Sequence, residues 1–481
     1  MKNTTQQSKP KPKPKPKTKT KTASQAKTPD RKGGSASRSR AVPGVLYPRG
    51  AGADIGAREI FVCVPEDCAG PRIRSFGTFT EDLEAIAAWL KECRVSSLAM
   101  ESTGLYWLPL HQVLNAHGIT VVLVNARHVK HVPGRKSDVL DCEWIQYLHS
   151  VGLLRGSFRP ADELCALRSL VRHRESLLAQ AADQIRHVHK CLDQMNLQVH
   201  HVINDLSGAS GQAIIAAIVA GERDAAVLAQ LGDYRLKASE ETLRKSLQGD
   251  WRAEHLLVLG MAHATWEHLR KQIMQLDEEI ARRVKMMESS PGPAPVLRAT
   301  QGGRKASRSA NAPALDLSAE YARIFGTDLT LVPGLNELSV QAVLCEVGPD
   351  LSKFRSAEAF CAWLRVCPGT KISGGKRLDT RSGRGKPRLA LHLRQAALGL
   401  HRSPTVPGVR YRRLRARLGA PKALTAMANL LARIIYTLIT RRVAYDESIF
   451  QAAEEKHQQR QLQRLRHQAK TLGFELTAAA A

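Results

Sequence analysis

Asp54, Glu101, Asp138 and Asp141 are four carboxylates in a chain that is otherwise strongly basic, with 72 Lys and Arg against 44 Asp and Glu in 481 residues. Acidic groups concentrated in a basic protein suggest divalent metal ions, and metal ions beside basic surface suggest phosphodiester chemistry on nucleic acid. Asp54 stands in Gly-Ala-Asp-Ile-Gly, at the end of a first predicted strand, and Glu101 in Leu-Ala-Met-Glu-Ser-Thr-Gly, at the end of a central one. Asp138 and Asp141 are three residues apart, so a helix would present both on one face. If the four converge in a cleft, their repulsion raises their pKa values unless cations neutralise them. Hard oxygen donors favour Mg²⁺ or Mn²⁺ over zinc. Two such ions about 4 Å apart would activate the attacking group and stabilise the leaving oxygen of a phosphodiester. Each acid also has a plainer reading: Asp54 as a turn residue, Glu101 as a helix cap, and the aspartate pair as a helix start whose acids suit the dipole.

The elements that must hold these groups lie in residues 50–158. Short apolar runs at 51–55 and 60–64 flank a glycine-containing turn, and 73–79 alternates as a third strand. Residues 81–92 have helical spacing through Leu83, Ile86 and Leu90; 95–100 reads as a strand, 105–116 as a helix, 119–124 as a buried parallel strand, and 138–148 as a closing helix. Three early strands followed by alternating helices and strands give the order of a ribonuclease-H-like fold, a mixed sheet covered by helices.

The formal charge of +28 is confined to two places. Residues 1–40 hold 13 Lys or Arg against Asp30, and residues 365–422 hold 16 against Asp379, so these two segments supply +27 of the total. Such a distribution fits polyanion binding better than general solubility. Residues 1–45, in which Lys alternates with Pro and then Thr, read as a disordered basic arm, either a solubilising tail or a non-specific nucleic-acid tether. The arm has no apolar core to serve as a signal peptide. Nine scattered cysteines without a Cys-x-x-Cys pair disfavour a disulfide framework and a zinc site, and favour a reducing cytosol. The apolar run at 423–439 is interrupted by Asn429 and Arg433 and reads as a buried or amphipathic helix too short to span a bilayer, so no membrane partner is expected.

Residues 160–288 read as a helical, coiled-coil middle. Leu164, Leu167, Val171, Leu178, Ala181, Ile185, Val188, Leu192, Met195 and Val199 follow steps of three and four, broken where Arg174 falls on the stripe. A second stripe, from Trp266 through Ile273 and Ile280 to Met287, could be the returning arm, with a shorter helical stretch at 211–252 between the two. Helical arms of this kind either oligomerise or merely space two domains; a long apolar stripe on an isolated arm would be left wet, which favours a homo-oligomer, dimer or tetramer. Residues 289–314 are rich in Pro, Gly, Ser and Ala and read as a linker. A small α-rich domain follows at 317–442, then a charged helical tail at 443–481.

Several segments carry a resemblance. Residues 52–56, Glu101-Ser102-Thr103-Gly104-Leu105-Tyr106-Trp107, Val124-Asn125-Ala126-Arg127 and Lys136-Ser137-Asp138-Val139-Leu140-Asp141 resemble the RuvC-like DEDD domain of a bacterial insertion-sequence transposase family, the bridge-RNA-guided serine recombinases. The likeness covers about residues 50–155 and resumes at about 329–440. It implies that Asp54, Glu101, Asp138 and Asp141 hold the metal. Leu331-Val332-Pro333-Gly334-Leu335 and the helix after it resemble the family's helix-hairpin-helix element, with Asn336 in place of the usual second glycine. Ile372-Ser373-Gly374-Gly375-Lys376-Arg377 matches its Ser-Gly-Gly segment, which makes Ser373 the implied nucleophile. A hydroxyl on a glycine-rich turn can approach a phosphodiester closely, and cations beside it stabilise the pentavalent charge. Lys371, Lys376, Arg377, Arg381, Arg384, Lys386 and Arg388 read as a phosphate-contacting surface, and Arg410, Arg412, Arg413, Arg415 and Arg417 around Tyr411 as a further grip on the backbone. The resemblance implies a cytoplasmic, nucleoid-associated bacterial enzyme with DNA and a structured guide RNA as partners, a covalent phosphoserine intermediate, and active sites combining one subunit's carboxylates with another's Ser373. Two other readings fit the residues: a RuvC-like metal nuclease that uses water, and a non-catalytic nucleic-acid-binding protein.

Overall fold

The computed structural model describes residues 44–102, 104–125, 138–233, 236, 238–297, 312–379, 385 and 387–475. Most of the basic arm, Arg127, Lys136, Ser137 and much of the 289–314 segment lie outside the described residues. The chain divides between Phe158 and Arg159 into two units.

The first unit is built on a five-stranded sheet. Strands β1 (Gly50–Ile55), β2 (Ile60–Cys63) and β3 (Ile73–Phe76) form an antiparallel meander, and β4 (Ser97–Glu101) and β5 (Thr120–Val124) extend it in parallel beyond β1, in the order β3-β2-β1-β4-β5. Helix α1 (Thr80–Glu92) buries Leu83, Ile86 and Leu90, and α2 (Trp107–Ala116) buries Leu110 and Leu114, both against one face of the sheet. Helix α2 stops at Gly118, whose φ of +76° allows Ile119 N to donate to Leu114 O at 2.9 Å, a left-handed helix stop that turns the chain into β5. Helix α3 (Asp138–Ser150) covers the other face, where Ile145 packs with Ala99 and Val124. The mixed sheet with helices on both faces fits a ribonuclease-H-like or RuvC-like α/β domain.

The second unit begins with a long helical hairpin. Helix α4 (Asp162–Gln194) packs along α9 (Ala253–Met286), and the short helices α5 (Val199–Val202), α6 (Ala209–Ala220), α7 (Ala225–Gln230) and α8 (Glu240–Ser246) fill the chain between them. Leu177 and Ala181 cluster with Leu269 and Ile273, while Val188 and Leu192 share a core with Leu259 and Ala262, so the two arms run antiparallel. The apolar stripe does not continue as one helix through Val199: α4 ends at Gln194, and Asn196, at φ 54°, reverses the chain. Arg174, the break in that stripe, is buried and paired with Asp277 of α9, its Nη2 donating to Asp277 Oδ2 at 3.2 Å. Arg283, the break in the returning stripe, donates to Glu279 Oε1 at 2.6 Å on its own helix. Because α9 covers the stripe of α4 within the chain, the stripe itself does not call for a second chain.

The remaining elements are α10 (Ser318–Phe325), α11 (Glu337–Glu346), α12 (Ala357–Trp363), the hairpin of β6 (Lys371–Ser373) and β7 (Lys376–Asp379), and then α13 (Arg388–Gly399), α14 (Val406–Leu418), α15 (Ala420–Arg441) and α16 (Ser448–Thr471). Helix α15 exceeds the 423–439 run: at 22 residues it is long and apolar enough to cross a membrane by length and composition. Its apolar face, from Ala423 through Met427, Leu431 and Ile435 to Ile439, is buried, and it packs against α12, α13 and α14 as the core helix of this region. Arg168 Nε donates to Cys345 O at 2.9 Å and Arg172 pairs with Glu346 at 2.7 Å, which ties the end of α11 to the hairpin arm α4.

Candidate active site and nucleic-acid interface

Strand parity sorts the carboxylates of the first unit onto one face. Ala51, Ala53 and Ile55 of β1 join the core under α1 and α2, so Gly52 and Asp54 face the side of α3. On β4, Leu98 and Met100 join that same core, whereas Ala99 packs with Ile145 of α3, which places Glu101 on the α3 side too. The two strands are parallel and in register, with Gly52 opposite Ala99 and Ala53 opposite Met100. Asp54 and Glu101 are the next residues along, and therefore neighbours at the strand ends.

Helix α3 delivers the aspartate pair to the same end. It runs antiparallel to β1: a Cβ on Gly50 would lie 2.7 Å from the His149 ring, and one on Gly52 would lie 2.3 Å from Gln146 N and 2.5 Å from Cys142 O. From Gly50 to Asp54 the strand advances about 13 Å, a distance that α3 covers in about nine residues. Counting back from His149, the level of Asp54 falls between Asp138 and Asp141. Proximity shows in the electrostatics as well. Burial, with the neighbouring Cys63 thiol, pushes the Cys142 thiol up to about 12, and the Asp54 carboxylate acts on it in the same direction. Asp54, Glu101 and Asp141 are each half-buried, open enough to accept an ion; Asp138 opens α3, and its side chain lies outside the described residues. The donor set is all carboxylate, which fits a hard divalent cation.

Ser102, Gly104, Leu105 and Tyr106 form the rim. Ser102 donates from both its N (3.0 Å) and its Oγ (3.1 Å) to Val124 O, anchoring the loop to the end of β5, and Gly104 takes a left-handed φ of +56°. Leu105 and Tyr106 are 74% and 55% exposed beside Glu101, an apolar surface suited to a base or sugar. Sequence reasoning used these residues only as a signature; their exposure becomes legible once the helix start is placed at Trp107.

Ser373 lies in the second unit and is described there by itself. It ends β6, directly opposite Lys376 of β7, and the two are joined by Gly374 and Gly375 with φ of +55° and +76°. Two successive left-handed residues make the type I′ turn of a tight hairpin, a conformation that glycine adopts freely. Ser373 and Lys376 are exposed, and a Cβ on either glycine would meet nothing within 4 Å, so the tip is open to a large ligand.

Of the other cations, the side chains of Lys371 and Arg377, together with residues Arg381, Arg384 and Lys386, lie outside what is described. Arg388 opens α13 and is paired with Glu175, to which His392 also comes within 3.6 Å. The nearby His392, followed by the Arg388 charge, holds the Glu175 carboxyl below its usual range, so part of the charge of Arg388 is balanced within the chain. Arg410, Arg415 and Arg417 are exposed on α14, while Arg412 donates to His401 O and Ser403 O. Tyr411 is buried, at 1% exposure, and serves as core rather than as a stacking platform among the arginines.

In the segment at 331–336, Asn336 stands in place of the usual second glycine. This residue is not in a left-handed turn: its φ is −128°, and its side chain caps α11 by accepting from Ser339 N at 3.0 Å. Capping replaces the glycine's role by satisfying a helix N–H directly. The left-handed position is Gly334, at φ +92°, where a Cβ would lie 2.9 Å from Ala396 O of α13.

Comparison with protein families gives two matches. A transposase model of the IS110 DEDD type matches residues 51–197, and one described as transposase IS116/IS110/IS902 family matches residues 327–408. The first takes in Asp54, Glu101, Asp138 and Asp141, and the second takes in Ser373 and Arg388. No curated protein matches the chain.

Proposed function

Because the chain belongs to the IS110 family of insertion-sequence transposases with an N-terminal DEDD domain, and so is an enzyme acting on DNA, we propose that it cuts and rejoins DNA with Ser373 as nucleophile and a carboxylate-held metal as assistant. The observation that carries this reading is the placement of Asp54 and Glu101 side by side on neighbouring parallel strands, level with the start of α3. Asp54, Glu101, Asp138 and Asp141 would hold Mg²⁺ or Mn²⁺, which supplies charge neutralisation at the scissile phosphate.

The chain's own groups do the rest. The open glycine turn lets Ser373 Oγ reach a phosphorus; a new Oγ–P ester forms, the bridging P–O bond of the DNA breaks, and the released strand end takes up a proton while the serine gives one up. Attack on that ester by another strand's hydroxyl restores Ser373 and completes strand exchange without loss of bond energy. Lys376, opposite the serine, is placed to offset charge on the phosphoryl oxygens, and the remaining cations hold the backbone without reading its sequence. Target choice then falls to a structured guide RNA.

By role, residues 50–158 are the carboxylate domain, 160–288 the helical spacer and 317–442 the serine domain. The 289–314 linker joins the last two, and the arm (1–45) and tail (443–481) flank the whole. The enzyme works as a homo-oligomer at the bacterial nucleoid, one subunit's carboxylates serving another's Ser373. Purifying it from its native locus and sequencing bound nucleic acid tests the guide; recovery of DNA cleavage without any bound RNA would remove guidance from the account.

A further inference from the structure

The far end of the helical hairpin carries a cluster that the chemistry above does not use. After α4 ends at Gln194, the left-handed Asn196 turns the chain, and Leu197 N donates to Leu192 O at 2.8 Å. The turn is fixed from outside as well: Gln198 N donates to Ser246 O at 2.7 Å, and Asp250 N to Met195 O at 2.8 Å. Met195, Leu197 and Val199 are fully buried, so the core holds the reversal and lays α5 back beside the last turn of α4.

This reversal gathers metal-binding side chains. His200 Nε2 comes within 3.0 Å of Asp193 Oδ1, and one donor atom from each of Asp193, His200 and His201 lies within 4.8 Å of the others. The His200 ring lies 4.2 Å from that of His201 and 5.2 Å from that of His189, one helical turn before Asp193. His200 Nδ1 is buried and has no hydrogen-bond partner among the described residues.

We propose that Asp193, His200 and His201 bind one ion of the zinc class, clamping α5 onto the end of α4. Two imidazoles and a carboxylate are a borderline donor set that suits Zn²⁺ and not Mg²⁺, so this site and the carboxylate site select different ions. Ligands about 2.0–2.1 Å from a tetrahedral ion stand about 3.3 Å from one another, close to the 3.0 Å already present between His200 and Asp193. Asp193 and His201 are exposed and free to close the remaining distance by rotation, and water or His189 fills the fourth position. The scatter of cysteines argues against a thiolate zinc site and is silent about one made of imidazoles.

The test uses the full chain without a polyhistidine tag, stripped by chelator and kept in excess Mg²⁺, titrated with Co²⁺ and read by visible absorption. The expected result is one equivalent of a low-symmetry Co²⁺ spectrum without sulfur charge-transfer bands, displaced by Zn²⁺, lost in both His201→Gln and Asp193→Asn, and retained in Asp54→Asn. Zn²⁺ should also raise the melting temperature of the parent chain and leave that of His201→Gln where it was. Both substituted residues are exposed, so the variants keep their fold. Absence of the spectrum, its persistence in the two variants, or a thiolate signature overturns the proposal.

Discussion

Gly52 lies against the backbone of α3, where a Cβ would fall 2.5 Å from Cys142 O, and it opposes Ala99 of β4 in the sheet. The spacing between strand and helix that brings the start of α3 level with Asp54 therefore depends on a missing side chain. Gly52→Ala should destabilise the first unit by about 2 kcal/mol or more through overpacking, and should lower metal-dependent cleavage further than stability alone explains. A urea melt paired with a cleavage assay at a temperature where the variant stays folded measures both.

His149 is buried under Tyr47, their rings stacked 5.1 Å apart, and its Nε2 lies 2.8 Å from Ser97 Oγ. Burial lowers its pKa from the ordinary 6.5, so the unfolded chain binds the proton more readily than the folded one. The stabilisation is therefore complete above pH 6.5 and is lost as pH falls from there toward the folded pKa. Denaturation of the first unit at pH 8 and pH 5.5 should show this loss, and His149→Gln should flatten the difference while lowering stability at pH 8.

Arg174 and Asp277 form an ion pair buried to 4% and 3% side-chain exposure inside the hairpin. Removing one partner leaves the other charged and dry, so Arg174→Met should cost about 3–5 kcal/mol. The double variant Arg174→Met with Asp277→Leu should recover most of that loss, but not all, because Ala314 N also donates to Asp277 Oδ2 at 2.9 Å. Equilibrium denaturation of the four members of this cycle decides it; an Arg174→Met variant as stable as the parent would refute a structural role for the pair.

Salt dependence separates cations free for DNA from those spent inside the chain. Neutralising one side chain that binds a phosphate should reduce the slope of log K against log salt by about 0.9. Arg410→Gln, Arg415→Gln and Arg417→Gln should each approach that value. Arg388→Gln should change the slope less, since Glu175 already balances it. Fluorescence anisotropy on one duplex across a salt series gives the comparison.

Much of the first unit was legible because its signals are local: period-two runs gave the strands, Leu83, Ile86 and Leu90 gave α1, and each carboxylate sat where an element ends. The levelling of the start of α3 with Asp54 was not, because it depends on Gly52 receiving the backbone of α3, across about 90 residues of chain that no spacing rule encodes. Arg174 looked like a flaw in the stripe because its partner Asp277 is remote in sequence. Asn336 read only as a replacement for the usual second glycine, and its capping role was not legible because it rests on the short acceptor side chain meeting Ser339 N. The cluster at Asp193, His200 and His201 was not legible because its spacing follows no metal motif and depends on a turn within an apolar core.

Joint action of the carboxylates of one unit and the serine of the other in a single reaction is the central claim. The most direct measurement is denaturing-gel trapping of protein covalently linked to a labelled DNA substrate, with Mg²⁺ and the RNA that copurifies. A DNA-linked band is predicted for the parent chain, none for Ser373→Ala, and none for Asp54→Asn, with strand cleavage lost in both variants. Cleavage by Ser373→Ala at the parent's rate, with no adduct in either chain, would contradict the claim and leave water as the nucleophile.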